Sequence, residues 1–456
     1  GVPAAAFAAP SQGHTGLIAQ ITADNEQDPY GWAASAPADG LRAASSLPEK
    51  LDPRDKWVTP VKLQNPWGAC WSFAVASAAE MSIWAEAKAK NIDIKTPDLS
   101  EHHLAWFTYT PLPEDDDSGQ GGEGMVSTKD VSQRLNSGGW QVYGTSLFSS
   151  GIGPVPEEDV PYRGKEGKIE TGWDPDTKKE FNYCYSADDD WTVDEKWRFV
   201  QGVEMQESYQ LPSPGDYVDA EGWNFEGVAS ANEAIKQQLY AGRGVAIAFM
   251  ADQSRPGQVS QTGYMNPGNN ATNTWAHYTY DKVNISHAVT IVGWDDTYSK
   301  DNFGNPDPET GKVDPAKQPP KDGAWIVKNS WGADSDFPNG YPGGWGTNGE
   351  GYFYLSYYDK TITKPEAFDF DVESILDERE SYSIYQYDYL PAQNASVMTD
   401  ERMLHEANVF TAEGGQTVRK LTCETTRPNM QTTYEVYKLD KDATNPTEGE
   451  KLVTLE

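Results

Sequence analysis

Residues 67–80 read "WGACWSFAVASAAE", with Cys70 set between two tryptophans at the head of an alanine-rich run. Apolar side chains at Trp71, Ala74, Val75, Ala78, Met81 and Trp84 follow an i, i+3, i+4 stripe, which predicts a helix from Cys70 to Asn91. A thiol at a helix start meets unpaired N–H groups and the positive end of the macrodipole, both of which favour thiolate. Gly68 lets the backbone turn sharply just before it, and Gln64 offers a side-chain N–H donor near the sulfur. Most free cysteines are small buried hydrophobes. These three local features argue instead for a nucleophile.

A nucleophilic thiol needs a base and a group that orients the base. His287 opens the apolar run "SHAVTIVGW" (286–294), so its ring can face a cleft while the strand behind it stays packed. Asn329 in "GAWIVKNSWG" (323–332) can fix the imidazole tautomer through its carbonyl, with Trp331 shielding that bond from water. Four separated segments together resemble the papain-like cysteine peptidases. They are "LPEKLDPRDKWVTPVKLQNPWGACWSFA" (47–74), the histidine and asparagine segments, and the glycine- and tryptophan-rich "GGWGTNGEGYFYLSYY" (343–358). The resemblance implies Cys70 as nucleophile, His287 as general base and acid, Asn329 as the orienting residue and Gln64 as an oxyanion donor beside the Cys70 N–H. It also implies substrate contacts at Gly121, Gly122, Trp331 and Ala288.

The chain departs from that pattern in two ways. Trp67 stands where the family signature has a cysteine, and Cys184 in "NYCYS" (182–186) resembles a half-cystine whose usual partner region, "LSEHHLAWF" (99–107), has none. His287 and Asn329 also stand much farther beyond Cys70 than the family's about 130–150 residues. The excess falls in 166–225, in "QTGYMNPGNNATNTWAHYTYDK" (261–282) and in residues 296–322, loops expected to border the cleft.

The composition bounds the rest. A chain of 456 residues exceeds the roughly 250–300 that one core supports, so two or three domains are expected. Net charge −34 argues against nucleic acid and anionic membranes as partners. Three cysteines (Cys70, Cys184, Cys423) cannot build a disulfide framework. No apolar run reaches the ~18 residues of a transmembrane span. Small residues in "GVPAAAFAAP" suit the flank of a signal-peptide cleavage site, giving an expectation of an exported bacterial protein at the cell surface or beyond.

Along the chain, residues 1–46 read as a propeptide-like leader with "LIAQI" (17–21) as an apolar anchor. Helices dominate from Leu47 to about Lys165. "LSEHHLAWF" starts one at a Ser100 cap, and "TKDVSQRLNSGG" (128–139) ends another at Gly138. Residues 166–225 read as acidic and loop-rich; "ANEAIKQQLY" (231–240) is a helix and "GVAIAF" (244–249) a strand. Helices before strands give an α+β class with two subdomains; the resemblance implies a papain-like fold, a helical subdomain plus an antiparallel β-barrel-like one. Residues 47–360 form that unit, 361–380 an acidic linker, and 381–456 a partial lectin-like β-sandwich with strands "IYQYDYL" (384–390), "EANVFTA" (406–412) and "YEVYKL" (434–439). This order of modules resembles papain-type peptidases that carry a lectin-like domain.

No metal or cofactor is expected. Adjacent helical residues point about 100° apart, so His102 and His103 cannot easily share an ion. "EDDDSG" (114–119) and "SADDDW" (186–191) lack EF-hand spacing, His277 and His405 have no partner signal, and Cys184 and Cys423 read as packed thiols. The expected partners are peptide or protein substrates, and carbohydrate through the C-terminal module. Two rival readings share the scaffold: a cysteine acyltransferase or transamidase on the same triad, and a surface adhesin that binds glycans.

Overall fold

The alanine-rich run forms α1 (Cys70–Lys90), which stops where Asn91 turns left-handed at φ 56° and bonds back to Ala87 and Lys88. In this computed structural model α1 is buried on every side from Cys70 to Ile83, not along one stripe. Small alanines let other elements close in around it. The described residues are 47–114, 121–126, 130–174, 178–219, 222–253, 260, 262–268, 274–307, 309–336, 344–375, 384–386, 389, 407–412, 414–418, 420–421, 423 and 432–455. The leader 1–46, with "LIAQI", lies outside them.

Three more helices follow: α2 (Glu101–Thr108), α3 (Val142–Ser149) and α4 (Phe225–Tyr240). The Ser100 side chain caps α2 by accepting the His103 N–H, as the sequence predicts. Residues Val131–Asn136 form a 3₁₀ helix where a regular helix is expected. α3 lies against α1 so closely that a Cβ on Gly144 would sit 2.5 Å from Val75 Cγ1.

The strands are β1 (Lys50–Leu51), β2 (Ile169–Asp174), β3 (Lys179–Tyr185), β4 (Glu204–Gln210), β5 (Val218–Asp219), β6 (Gly222–Trp223), β7 (Val245–Phe249), β8 (Met265–Asn266), β9 (Ala276–His277), β10 (His287–Asp295), β11 (Ala324–Lys328), β12 (Tyr352–Ser356), β13 (Thr363–Asp371), β14 (Tyr434–Leu439) and β15 (Gly449–Leu455). The main sheet runs β4-β13-β7-β10-β11-β12-β9-β8, with β1 on β10. One core, built on α1–α3, fills one side, and a second around Ile247, Trp294, Trp325 and Phe353 fills the other. The helical and sheet halves fit the α+β expectation.

Two sequence boundaries need correction. Residues 166–225 contain the β2–β3 hairpin and β4, not loops alone. The linker read over 361–380 is structured through Thr363–Asp371, because β13 pairs with β4 on one side and β7 on the other. Its acidic residues find partners: Glu366 accepts the Thr145 hydroxyl, and Asp369 pairs with Arg243. Beyond residue 380, "YEVYKL" is β14 of an exposed hairpin, whereas the described parts of "IYQYDYL" and "EANVFTA" are not strands. No helix among the described residues is long and apolar enough to cross a membrane.

Beneath the junction of the two halves lies an ionic cluster. The buried Glu80 carboxylate, on α1, receives Lys62 at 3.0 Å, the Thr59 hydroxyl and the Leu99 N–H, while Lys328 Nζ lies 3.9 Å away and 2.9 Å from Thr59 Oγ1. Lys62 also meets Glu101 and Asp98, each at 2.8 Å. The Lys62 and Lys328 charges hold the Glu80 carboxyl below its usual range against strong desolvation. Burial in turn pulls Lys328 down to about 8. Removing one partner of such a pair strands the other charge, so Glu80→Ala is expected to cost about 3–5 kcal/mol. Urea denaturation measures this, and recovery in Glu80→Met/Lys328→Met separates stranded charge from lost packing.

Candidate active site

Cys70 is the first residue of α1 and is fully buried. The turn before it is held by two hydrogen bonds and one aromatic contact. The Trp67 N–H donates to Gln64 O at 3.1 Å, the Gly68 N–H to Asn136 Oδ1 at 2.9 Å, and Trp67 packs edge-on to Trp191 at 5.6 Å. Cys70 Sγ accepts the Ala288 N–H at 3.3 Å, which brings the start of α1 against the start of β10. Sequence reasoning expects a lowered thiol pKa. Backbone N–H groups of Ala288, Trp71 and Cys70 do pull it down, but burial outweighs them and pushes the thiol up to about 12.

His287 heads β10, and its Nε2 lies 2.8 Å from Asn329 Oδ1. An amide oxygen only accepts, so Nε2 carries the proton and Nδ1 is left as the basic nitrogen. Asn329 Oδ1 also accepts the Ser330 N–H at 2.8 Å. Trp331 stacks on the imidazole with centroids 4.5 Å apart and planes at 25°, and is itself buried. The pair therefore sits in a dry, aromatic-walled place.

Gln64 is buried and fixed at both ends of its amide. Its Oε1 accepts the Ser330 hydroxyl at 2.8 Å, and its Nε2 donates to Trp67 O at 3.1 Å, leaving the amide's second N–H for another acceptor. Its own N–H bonds Ser330 O at 2.8 Å. Ser330 thus ties Gln64 to Asn329, a role that sequence reasoning missed although it lies inside the quoted asparagine segment.

The other expected residues scatter. Ala288 and Trp331 lie at Cys70 and His287. Gly121 and Gly122 sit in a turn against Leu112 and Glu114, with no described contact to Cys70 or His287. The glycine pair that does reach the Cys70 segment is Gly138–Gly139. Gly139 abuts the Trp71 indole so tightly that a Cβ would lie 2.4 Å from Nε1, and neighbouring Asn136 holds Gly68. The string "NSGGW" (136–140) carries that signal.

His102 has Pro161 O and Trp191 O at 2.8 Å, and His103 has Trp197 O at 2.8 Å, so both fasten α2 to neighbouring loops. Asp189 of "SADDDW" accepts the N–H groups of Glu166, Lys168 and Asp190 and clamps a turn. Most of "EDDDSG", and His405, lie outside the described residues. Cys184 is half-buried, with its thiol pushed up to about 12 by burial. Cys423 is exposed rather than packed, 2.6 Å from the Tyr434 hydroxyl.

Residues 47–105 match the family model described as papain family cysteine protease. This is a papain-like cysteine peptidase fold. Among curated proteins, the papain-like chain is 25% identical over 316 residues to a cysteine protease of Blomia tropicalis, covering 68% of this chain and 62% of that one. It is 43% identical over 63 residues to cathepsin O of Mus musculus, covering 13% and 20%. It therefore spans less than two thirds of the length of the curated relatives it matches. Among solved structures, it resembles the cysteine protease and lectin-like domains of Cwp84, a surface layer associated protein of Clostridium difficile. That match has 22% identity, covers 71% of this chain and 52% of that one, and has a TM-score of 0.43.

With the thiol raised to about 12, its reactivity near neutrality depends on a proton acceptor. In His287→Ala the alkylation rate of Cys70 is expected to fall below that of Cys423 at pH 7. It should then climb about tenfold per pH unit toward the raised pKa, because only the thiolate reacts. Mass-spectrometric rates for each cysteine peptide decide this. A wild-type plateau in the variant would show that the imidazole is not the acceptor.

Proposed function

We propose that this chain is a cysteine endopeptidase that hydrolyses peptide bonds through Cys70, His287, Asn329 and Gln64. The observation that carries this reading is the 2.8 Å His287–Asn329 bond under Trp331, beside a Cys70 sulfur that accepts the Ala288 N–H. Cys70 passes its proton to His287 Nδ1, and the thiolate attacks the peptide carbonyl. Charge gathers on the carbonyl oxygen, where the second Gln64 N–H and the Cys70 N–H donate to it. His287 then protonates the leaving amine, and water, deprotonated by the same ring, hydrolyses the thioester. Asn329 keeps the imidazole in the tautomer that both transfers need.

The catalytic unit in this proposal runs from residue 47 through β13 and on to residue 375, and an extended substrate lies along the Gly138–Gly139 edge beside the nucleophile. Export and glycan recognition by residues 381–456 are carried into the proposal from the sequence resemblance. A catalytically silent glycan-binding adhesin would need none of the bonds around His287. A transamidase would use them all and differ only in the acceptor.

Gln64→Ala tests the central claim. A donor aimed at the developing oxyanion acts in the transition state, so kcat and kcat/KM should fall together by about 10²–10³ with little change in KM. Peptide cleavage assayed with and without an added amine, against a Cys70→Ala control, separates the readings. Hydrolysis products identify a peptidase, amine-capped products a transferase, and neither product the silent scaffold.

A further inference from the structure

We propose that Trp275 and His277, in the long segment between Cys70 and His287, are positioning residues that hold the His287 imidazole from behind. This rests on the reading of His287 as the general base. Two aromatic side chains among the described residues lie against the ring. Trp331 stacks on it at 4.5 Å, and Phe249, its cross-strand partner on β7, lies at 6.2 Å with planes tilted by 48°.

Each of these neighbours is backed by the same short segment. Trp331 meets Trp345 edge-on at 5.1 Å, and Trp345 meets Trp275 at 4.7 Å. Phe249 meets His277 edge-on at 5.1 Å. Phe353 closes the ring of contacts, lying 5.7 Å from Phe249, 5.3 Å from Trp345 and 6.2 Å from His277. Trp275 immediately precedes β9 and His277 ends it, and through Trp345 and Phe249 both side chains join the same aromatic cluster. Both are buried.

The segment is fixed as a support must be. The Tyr354 N–H donates to Trp275 O at 2.9 Å, and β9 pairs with β12 in parallel, Leu355 opposite His277. Trp275 adopts φ 43°, a left-handed conformation that a bulky side chain holds only where its surroundings over-determine it. His277 Nε2 accepts the Asp252 N–H at 3.2 Å, which puts its proton on Nδ1, 3.4 Å from Asp359 Oδ2. Asp359 is held in turn by the N–H groups of Thr279 and Thr361. The His277 ring thus sits against Phe249, with its Nε2 held by the Asp252 N–H. A general base must stay aimed through two proton transfers, and small displacements are costly there.

The experiment compares the full chain with Trp275→Ala, Trp275→Phe, His277→Ala and His277→Phe. Each is assayed for kcat and KM on a fluorogenic peptide, for sites counted by active-site titration, and for the Cys70 alkylation rate at pH 7. The alanine variants are expected to lose about tenfold or more in kcat per titrated site, with KM within about twofold and alkylation slowed in step. The phenylalanine variants, which restore a ring, should recover most of both. Wild-type kcat per site and wild-type alkylation in the alanine variants would overturn the proposal, as would a loss explained wholly by fewer titratable sites. If the wild-type chain cleaves no peptide, the peptidase reading fails. Slowed Cys70 alkylation in the alanine variants alone would still support the positioning role, and unchanged alkylation would end it.

Discussion

The arrangement depends on one buried carboxylate. Glu80 belongs to the helix that begins at Cys70, Lys62 stands two residues before Gln64, and Lys328 immediately precedes Asn329. The three charges meet at one point, so three chain segments far apart in sequence are fixed against each other there. Taking these groups out of water is expensive, and their mutual attraction does little more than offset that cost. What the cluster supplies is registry. A slip of α1 along the sheet would move Cys70 away from β10 and also strand two lysine charges.

That burial creates a tension at the sulfur. A dry site raises the Cys70 thiol, which favours its protonated form. The same dryness strengthens every donor aimed at a developing oxyanion, because little water competes with it. The imidazole reconciles the two demands. In the proposed reaction, accepting the proton through Nδ1 makes a thiolate beside a cation, a pair that is stabilised where an isolated thiolate would not be. The His287–Asn329 bond therefore matters for the resting tautomer as much as for the ring's direction.

The parts of this site that were legible in the sequence are those whose chemistry is local. Cys70 at a helix start, His287 at a strand start and Asn329 before Trp331 each announce themselves within a few residues. So do Ser100 as a cap and the β-branched runs of β7, β10 and β11. The illegible parts depend on partners remote in sequence. β13 reads as linker because Glu366, Asp369 and Asp371 dilute its apolar residues, and its strand character needs β4, more than a hundred residues earlier. A glycine pair likewise carries no label in the sequence. Gly121–Gly122 and Gly138–Gly139 read alike until Asn136 is seen to hold Gly68.

The added length between Cys70 and Asn329 has a common structural effect. β8 and β9 extend the sheet beyond β12, and β4 extends it beyond β13, so the strands carrying His287 and Asn329 lie well inside it. An interior strand has both rows of backbone groups paired and cannot bend toward solvent, whereas an edge strand is free to do so and invites pairing by other chains. The outer strands are short, as β8 and β9 are, or charged, as β4 is with Glu204 and Glu207, which discourages edge-to-edge association. Segments that look like acidic, aromatic loops in the sequence thus move the sheet's edges away from His287 and Asn329. They leave the strands that lead to His287 and Asn329 with packed neighbours on both sides and aromatic groups behind them.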